Sequence, residues 1–355
     1  MLLRVTARRR ETHDTISFIF EPVEGPLPAY APGQFLTFLI DHYGREVRRS
    51  FSLTSSPGDP FLSITVKRKP NGEISRFLQD HVSVGATLRV VPPAGRFTFQ
   101  TRQPGAAPLS AGGPANARAG APVPRDIGFI AAGSGIAPIL PLIRQALREE
   151  PQSHVWLIDQ NHSEADIIFA EALRALEGRV TRISLLSAPK SHTILPRRLN
   201  NANLEQFVGE LTRFDPSESV FFCCGPEALM RMARFTLRVM GFGEAQFRQE
   251  HFTIDPPPKA ALPVNTTTRQ VALHIGGRAY TFPVTFPTNI LQAALDHHVP
   301  LPYSCRGGRC SACSARCTDG KVLMSLNEVL TDQDLAEGWV LTCTGYALTD
   351  LSLEA

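Results

Sequence analysis

Cys305, Cys310 and Cys313 fall within one nine-residue stretch, Cys305-Arg-Gly-Gly-Arg-Cys310-Ser-Ala-Cys313, and Cys343 follows after a long gap. The spacers of four and two residues in that stretch are the ligand spacing of a plant-type [2Fe–2S] cluster. The chemistry accounts for the pattern. Each of two irons takes two thiolates, a short loop can supply three of them, and the fourth must come from elsewhere in the fold. Gly307 and Gly308 suit a loop that needs unusual backbone angles and close approach to sulfide. A tetrathiolate zinc site is the first alternative, although its ligands tend to arrive as two short-spaced pairs. Disulfides are the second, in a chain whose seven cysteines all lie at or beyond position 223 and which nothing marks as secreted. Cys317 stands where the loop should run into a strand and reads as a small buried hydrophobe rather than a ligand.

Four further segments carry residue types suited to phosphates or planar rings. Gly133-Ser134-Gly135-Ile-Ala-Pro138 separates an apolar run from a helical pattern. Glycines there let the backbone approach a pyrophosphate, and a helix N-terminus offers free N–H groups to its charge. The segment departs from G-x-G-x-x-G at its last position, and such turns also occur with no ligand. Arg49-Ser50-Phe51-Ser52 offers a guanidinium for a bidentate phosphate contact, a ring that can stack on a planar cofactor and a hydroxyl that can reach a ring nitrogen. Asn71-Gly72-Glu73-Ile74-Ser75 offers backbone N–H groups and a hydroxyl to a second phosphate; a solvated strand and loop are the plain alternative for both. Cys224-Gly225-Pro226, with Met230 beyond it, ends an apolar run that reads as the fourth strand of a β/α sheet. Ligands of such sheets bind beyond the carboxyl ends of the strands, so Cys224 is placed to face a nicotinamide. Cys223 points the other way and reads as core, and an inert buried thiol is the alternative for both.

These groups need three scaffolds. Residues 1–100 show short alternating runs (Thr15–Phe20, Gln34–Ile40, Phe61–Val66, Thr87–Val91) between Gly, Pro and Asp turns, the pattern of a small antiparallel β-barrel. Ala, Gly and Pro make up 16 of the 25 residues in 101–125, so that stretch reads as a low-complexity insertion without chemistry. Residues 126–253 alternate strands (Ile127–Ala132, His154–Ile158, Arg179–Leu186, Ser219–Cys224) with helices, the pattern of an α/β doubly wound parallel sheet. One helix runs from Pro138 to about Glu150, with Pro141 still in its first turn, and another from Pro226 to Met240. Residues 254–266 contain Asp255-Pro-Pro-Pro-Lys259 and read as a stiff linker. Residues 267–355 form an α+β domain: a hairpin over Val271–Phe282 turns at Gly276-Gly277, and a helix over Asn289–His298 precedes the cysteine loop. A net charge of +3 is too small to argue for nucleic acid. The N-terminus lacks the apolar core of a signal peptide and no run is long enough to span a bilayer. A cytoplasmic chain with neither nucleic-acid nor membrane partner is therefore expected.

Taken in order, the motifs resemble those of the ferredoxin–NADP reductase family fused to a C-terminal plant-type ferredoxin of the β-grasp fold. Arg49–Ser52 is similar to that family's RxYS flavin motif, Gly72–Ser75 to its GxxS motif, Gly133–Pro138 to its G(T/S)GxxP loop and Cys224–Pro226 to its CGP motif. Pro32-Gly33-Gln34 and Glu250-His-Phe252 also fit. The resemblance implies FAD, a [2Fe–2S] cluster and NADP(H) or NAD(H) as cofactors, with electrons passing in the order nicotinamide, flavin, cluster, protein acceptor. It implies that Arg49 holds the flavin pyrophosphate, Phe51 lies on the ring face and Ser52 reaches flavin N5. Ser50, Lys67, Gly72, Ile74 and Ser75 complete the flavin site, and Phe252 covers the opposite face. Gly133, Ser134, Gly135, Cys224, Gly225 and Pro226 receive the nicotinamide nucleotide, and Cys224, Ser52 and Glu250 lie at the reacting atoms. Phe51 replaces the usual tyrosine, and His162 stands where relatives often have arginine, which leaves Lys190, Arg197 and Arg198 to meet a 2′-phosphate. The domain order resembles the reductase components of bacterial oxygenases, among them those of phenylacetyl-CoA epoxidase and ketosteroid hydroxylation. A hybrid-cluster protein or desaturase as acceptor, and a non-catalytic carrier retaining the fold, are the alternatives. Arg306 and Arg309 on the cysteine loop are expected to meet an acidic acceptor surface.

Overall fold

The computed structural model describes residues 1–102, 123–191, 195, 197–252 and 267–355. Most of the 101–125 insertion and the whole 254–266 linker therefore lie outside the described residues. The chain forms two compact units, Met1–Glu250 and His251–Ala355.

The first unit begins with six antiparallel strands: β1 (Leu2–Arg10), β2 (Thr15–Pro22), β3 (Phe35–His42), β4 (Arg45–Ser52), β5 (Leu62–Lys67) and β6 (Thr87–Ala94). They pair in the order β4-β3-β6-β1-β2-β5. The two edge strands then meet, because Leu53 bridges Ile64 and the Thr54 N–H donates to Ser63 O at 2.8 Å. That closure makes a barrel and removes the open edges. Phe18, Phe20, Phe38 and Leu62 fill it with no exposure. Two elements were hidden from a reading of the sequence. β1 alternates buried Leu3 and Val5 with solvated arginines, so its charge masks the strand period. Helix α1 (Glu73–His81) caps the barrel through Ile74 and Leu78, one turn apart.

The rest of this unit is a parallel sheet of β7 (Asp126–Ala132), β8 (His154–Asn161), β9 (Thr181–Leu186), β10 (Val220–Cys224) and β11 (Phe247–Glu250), ordered β11-β10-β7-β8-β9. Helices α2 (Ile136–Glu149), α3 (Ala170–Arg174), α4 (Asn201–Leu211) and α5 (Glu227–Val239) connect the strands. Two apolar clusters cover the two faces: one includes α2 and Cys224, the other α4, α5 and Cys223. The strand order reverses between β7 and β10, so the crevice beyond their carboxyl ends is the binding position of such a sheet. Helix α2 starts two residues earlier than expected, which places Pro141 inside it rather than in the first turn.

The second unit holds β12 (Arg269–Ile275), β13 (Arg278–Val284), helix α6 (Ile290–Asp296), β14 (Ser314–Asp319), β15 (Val322–Met324), helix α7 (Asp332–Ala336), β16 (Trp339–Leu341), β17 (Gly345–Ala347) and β18 (Leu351–Glu354). The main sheet runs β13-β12-β18-β14-β16, with β12 and β18 parallel, and α6 packs on it through Ile290, Leu291 and Ala294. This is the expected β-grasp. Its opening hairpin turns at Gly276 (φ 56°) and Gly277 (φ 75°), the left-handed pair that a two-residue turn needs.

Candidate functional site

The carboxyl end of β4 meets the carboxyl ends of β10 and β11. Ser52 closes β4, and its Oγ donates to Glu250 Oε2 at 3.0 Å. Glu250 closes β11 and is the register partner of Cys224 on β10. All three side chains are buried. Burial pushes the Glu250 carboxyl up to about 8, against the opposing pull of the Ser52 hydroxyl. Burial, with smaller contributions from neighbouring Glu250 and Cys223, raises Cys224 well above an ordinary thiol. At neutral pH the cluster is thus held uncharged, and Cys224 packs as a thiol rather than attacking as a thiolate.

Of the remaining flavin-motif residues in the first unit, Arg49, Ser50 and Phe51 lie on β4, Lys67 ends β5, and Gly72 to Ser75 open α1. Arg49 is half-buried and its Nη1 donates to Arg48 O at 2.7 Å. Ser50 Oγ shares a hydrogen bond with Thr37 Oγ1 at 2.9 Å. Phe51 meets Phe38 edge-on, ring centroids 5.8 Å apart, and one flank stays partly open. Lys67 Nζ lies 3.4 Å from Asp14 Oδ2. Gly72 is the N-cap of α1, so the first-turn N–H groups of Glu73, Ile74 and Ser75 have no intrahelical acceptor. Ile74 itself is core. A Cβ on Gly72 would fall 2.3 Å from Ser75 Oγ, which donates to Gly72 O and accepts from the Lys69 N–H. Phe252, two residues beyond Glu250, is 38% exposed.

The nucleotide loop separates glycines of different purpose. Gly133 has a φ of +54° with nothing within 4 Å of its missing Cβ, so its side is open. Gly135 is closed: a Cβ there would sit 1.9 Å from the Cys224 carbonyl oxygen. Gly225 is similar, its Cβ position 3.1 Å from Ala132 Cβ. Ser134 is half-buried between the first two, and Pro226 forms the N-cap of α5. The basic residues proposed for a 2′-phosphate are partly engaged. The Arg197 guanidinium lies over the Phe207 ring at 5.7 Å, and His162 Nδ1 is 3.3 Å from Ser187 Oγ. One feature at this edge had no signal in the sequence. Asp159, buried near the end of β8, pairs with Arg182 Nη2 at 2.6 Å and accepts from Asn161 Nδ2 at 3.0 Å. Burial still carries its carboxyl above the usual range.

In the second unit the four cysteine sulfurs come together. Cys305 contacts Cys310 and Cys343, and Cys313 contacts Cys343. Shared hydrogen bonds hold Cys305 and Cys313 low and drive Cys310 and Cys343 high. The Gly307 N–H donates to Cys305 Sγ at 3.3 Å, and the Cys305 N–H to Cys310 Sγ at 3.5 Å. The contacts run in one chain, from Cys310 to Cys305 to Cys343 to Cys313, so all four thiols form a single linked group. This donor set fits a [2Fe–2S] cluster better than one tetrahedral zinc.

Three expectations about this loop change. Of its two glycines only Gly308 is left-handed (φ +72°), and Arg306 (φ 53°) and Ser311 (φ 52°) share that conformation. Strain of this kind persists where surrounding structure imposes it. Arg309 is not at the surface but 6% exposed, whereas Arg306 is exposed with its guanidinium 4.4 Å over the Tyr303 ring. Cys317, on β14, is half-buried rather than buried, its Sγ donating to Asp319 O at 3.3 Å.

Known proteins agree with this geometry. Residues 2–99 match the oxidoreductase FAD-binding domain, 129–234 the oxidoreductase NAD-binding domain and 273–348 the 2Fe-2S iron-sulfur cluster binding domain. The chain belongs to the NAD(P)H-dependent oxidoreductases that join a ferredoxin–NADP reductase module to a [2Fe–2S] domain, and its cofactors are FAD, the cluster and a pyridine nucleotide. It is 32% identical to one of the subunits of 1,2-phenylacetyl-CoA epoxidase of Escherichia coli (strain K12), over 98% of this chain and 95% of that one. It is 31% identical to the 3-ketosteroid-9-alpha-monooxygenase ferredoxin reductase component of Mycobacterium tuberculosis (strain ATCC 25618 / H37Rv), over 96% and 91%. Among solved structures, phthalate dioxygenase reductase shares the fold with a TM-score of 0.58 at 21% identity, covering 100% of this chain and 98% of its own. No helix among the described residues is long and apolar enough to cross a membrane.

Proposed function

We propose that this chain is the reductase component of a multicomponent oxygenase, oxidising NAD(P)H and delivering electrons from its ferredoxin domain to a separate cytoplasmic oxygenase protein. The observation that carries the reading is the Ser52–Glu250 hydrogen bond beside Cys224, which joins the barrel and the nucleotide sheet where two cofactors would have to meet. The oxygenase assignment draws on relatives that include one chain of an epoxidase and the reductase components of two monooxygenase systems. The working division of the chain is 1–100, 126–253 and 267–355.

When bound, a pyridine nucleotide, FAD and a [2Fe–2S] cluster would supply hydride transfer followed by one-electron transfer. The chain binds and orients. Arg49, Lys67 and the N–H groups of Glu73, Ile74 and Ser75 would hold the flavin pyrophosphate. Phe51 flanks the ring system. The loop Gly133–Gly135 would admit the nucleotide pyrophosphate on the open side of Gly133, and Cys224-Gly225-Pro226 would receive the nicotinamide. Ser52 donates its proton to Glu250 and would present its oxygen to the flavin, and Glu250 stays protonated at neutral pH, so no buried charge disturbs the site. Cys305, Cys310, Cys313 and Cys343 hold the cluster.

The test uses the holoprotein with purified oxygenase components of the epoxidase and ring-hydroxylating types. Product formation coupled to NAD(P)H oxidation with one of them supports the reading. Reduction of a desaturase or hybrid-cluster acceptor, with no oxygenase turned over, overturns it.

A further inference from the structure

The three-cysteine loop is gripped by a residue far from it in sequence. Glu328 Oε2 lies 2.6 Å from Arg309 Nε, and Arg309 Nη2 lies 3.4 Å from Glu328 Oε1. The Nε–H is not aimed at that oxygen, so the contact is ionic rather than an aligned hydrogen bond. The Glu328 backbone N–H donates to Gly308 O at 3.1 Å. Glu328 thus holds two successive residues of the loop, one through its backbone and one through its charge. The Arg309 N–H in turn donates to Cys305 Sγ.

The segment that carries Glu328 is itself braced. Asn327 Oδ1 accepts from the Val329 and Leu330 N–H groups at 3.2 and 2.8 Å, and its Nδ2 donates to Leu330 O at 2.9 Å. Thr344 Oγ1 donates to Leu326 O at 2.8 Å, and the Ser325 N–H to Thr344 O at 2.9 Å. Thr344 follows Cys343 directly. Residues 325–330 therefore tie the loop that carries three of the cysteines to the residue beside the fourth.

We propose that Glu328 is a positioning residue for the iron–sulfur site, fixing the three-cysteine loop in register with Cys343 and balancing the buried Arg309 guanidinium beside it. Removing the Glu328 charge leaves a cation next to the cluster, which favours the reduced, more negative state. Breaking one half of a buried ion pair is costly, while replacing both halves with apolar side chains is close to neutral. Supporting residues around metal ligands are worth about ten- to hundredfold in metal affinity.

The test compares holoprotein carrying Glu328→Gln, Arg309→Met and the pair Arg309→Met with Glu328→Met. Iron and acid-labile sulfide per chain, bleaching rate under chelator and midpoint potential are measured, with flavin content and ferricyanide reduction as controls on the first unit. Each single variant is expected to bleach about tenfold faster, Glu328→Gln to have a more positive potential, and the double variant to recover wild-type retention. Wild-type bleaching and potential in Glu328→Gln, or a double variant no better than the singles, would overturn the proposal. If Arg309→Met does not fold, the shape-preserving Glu328→Gln still decides through its potential.

Discussion

Around Cys305–Cys313 the binding groups are side chains, whereas around Gly133 and Gly72 they are backbone groups uncovered by the lack of side chains. The difference governs what each sequence signal means. A thiolate is demanded by iron and by little else at that spacing, so residue type reports directly on the ligand. A glycine is demanded by anything that comes close. Gly135 is kept free of a side chain by the Cys224 carbonyl and Gly72 by Ser75 Oγ, each within the protein, while Gly133 alone faces open space. The electrostatics diverge as well. The Ser52–Glu250–Cys224 group is held neutral by burial, while the sulfurs divide into low and high members by sharing protons.

The comparison can be broken first at the cysteines. Cys313→Ser should reduce iron and labile sulfide per chain to near zero while leaving flavin bound; retained cluster would mean that the ligand set is wrong. The glycines come next. Gly135→Ala forces a Cβ into backbone that cannot move aside and should cost about 3 kcal/mol. Gly133→Ala meets only the left-handed penalty and should cost about 1 kcal/mol, with a larger rise in the KM for the nucleotide. Chemical denaturation of the two variants checks the order, and the reverse order would contradict the distinction between packing and open glycines.

A third effect follows from Glu250. Its folded pKa of about 8 lies above the ordinary 4.5, so the folded state holds the proton more tightly. Stability from this group is complete below about pH 4.5 and is lost as pH rises toward about 8. Glu250→Gln should remove that slope in denaturation midpoints taken across the window, and an unchanged slope would place the titration elsewhere. The smallest effect is expected at Cys317, half-buried and outside the ligand set. Cys317→Ser should leave iron content unchanged and stability within about 1 kcal/mol.

What could be read from the sequence followed the same division. The cysteine ligands, the glycine hairpin of the last domain and the strands of the parallel sheet were legible because one chemistry or one period dominates each. β1 was not, since its arginines face water on one side while Leu3 and Val5 are buried on the other. Helix α1 was hidden behind a motif read only for phosphate binding, although Ile74 and Leu78 mark its buried side. Burial of Arg309 depends on Glu328, nineteen residues away. The Asp159–Arg182 pair joins neighbouring parallel strands, and no local spacing announces either contact.

The central claim is that electrons enter at the Ser52–Glu250–Cys224 edge and leave through the four cysteines. Cys305→Ser tests it most directly, with NAD(P)H-driven reduction of ferricyanide and of cytochrome c measured side by side. The account predicts that cytochrome c reduction collapses while ferricyanide reduction stays at the wild-type rate. Cytochrome c reduction that survives intact in the cluster-free variant would contradict it.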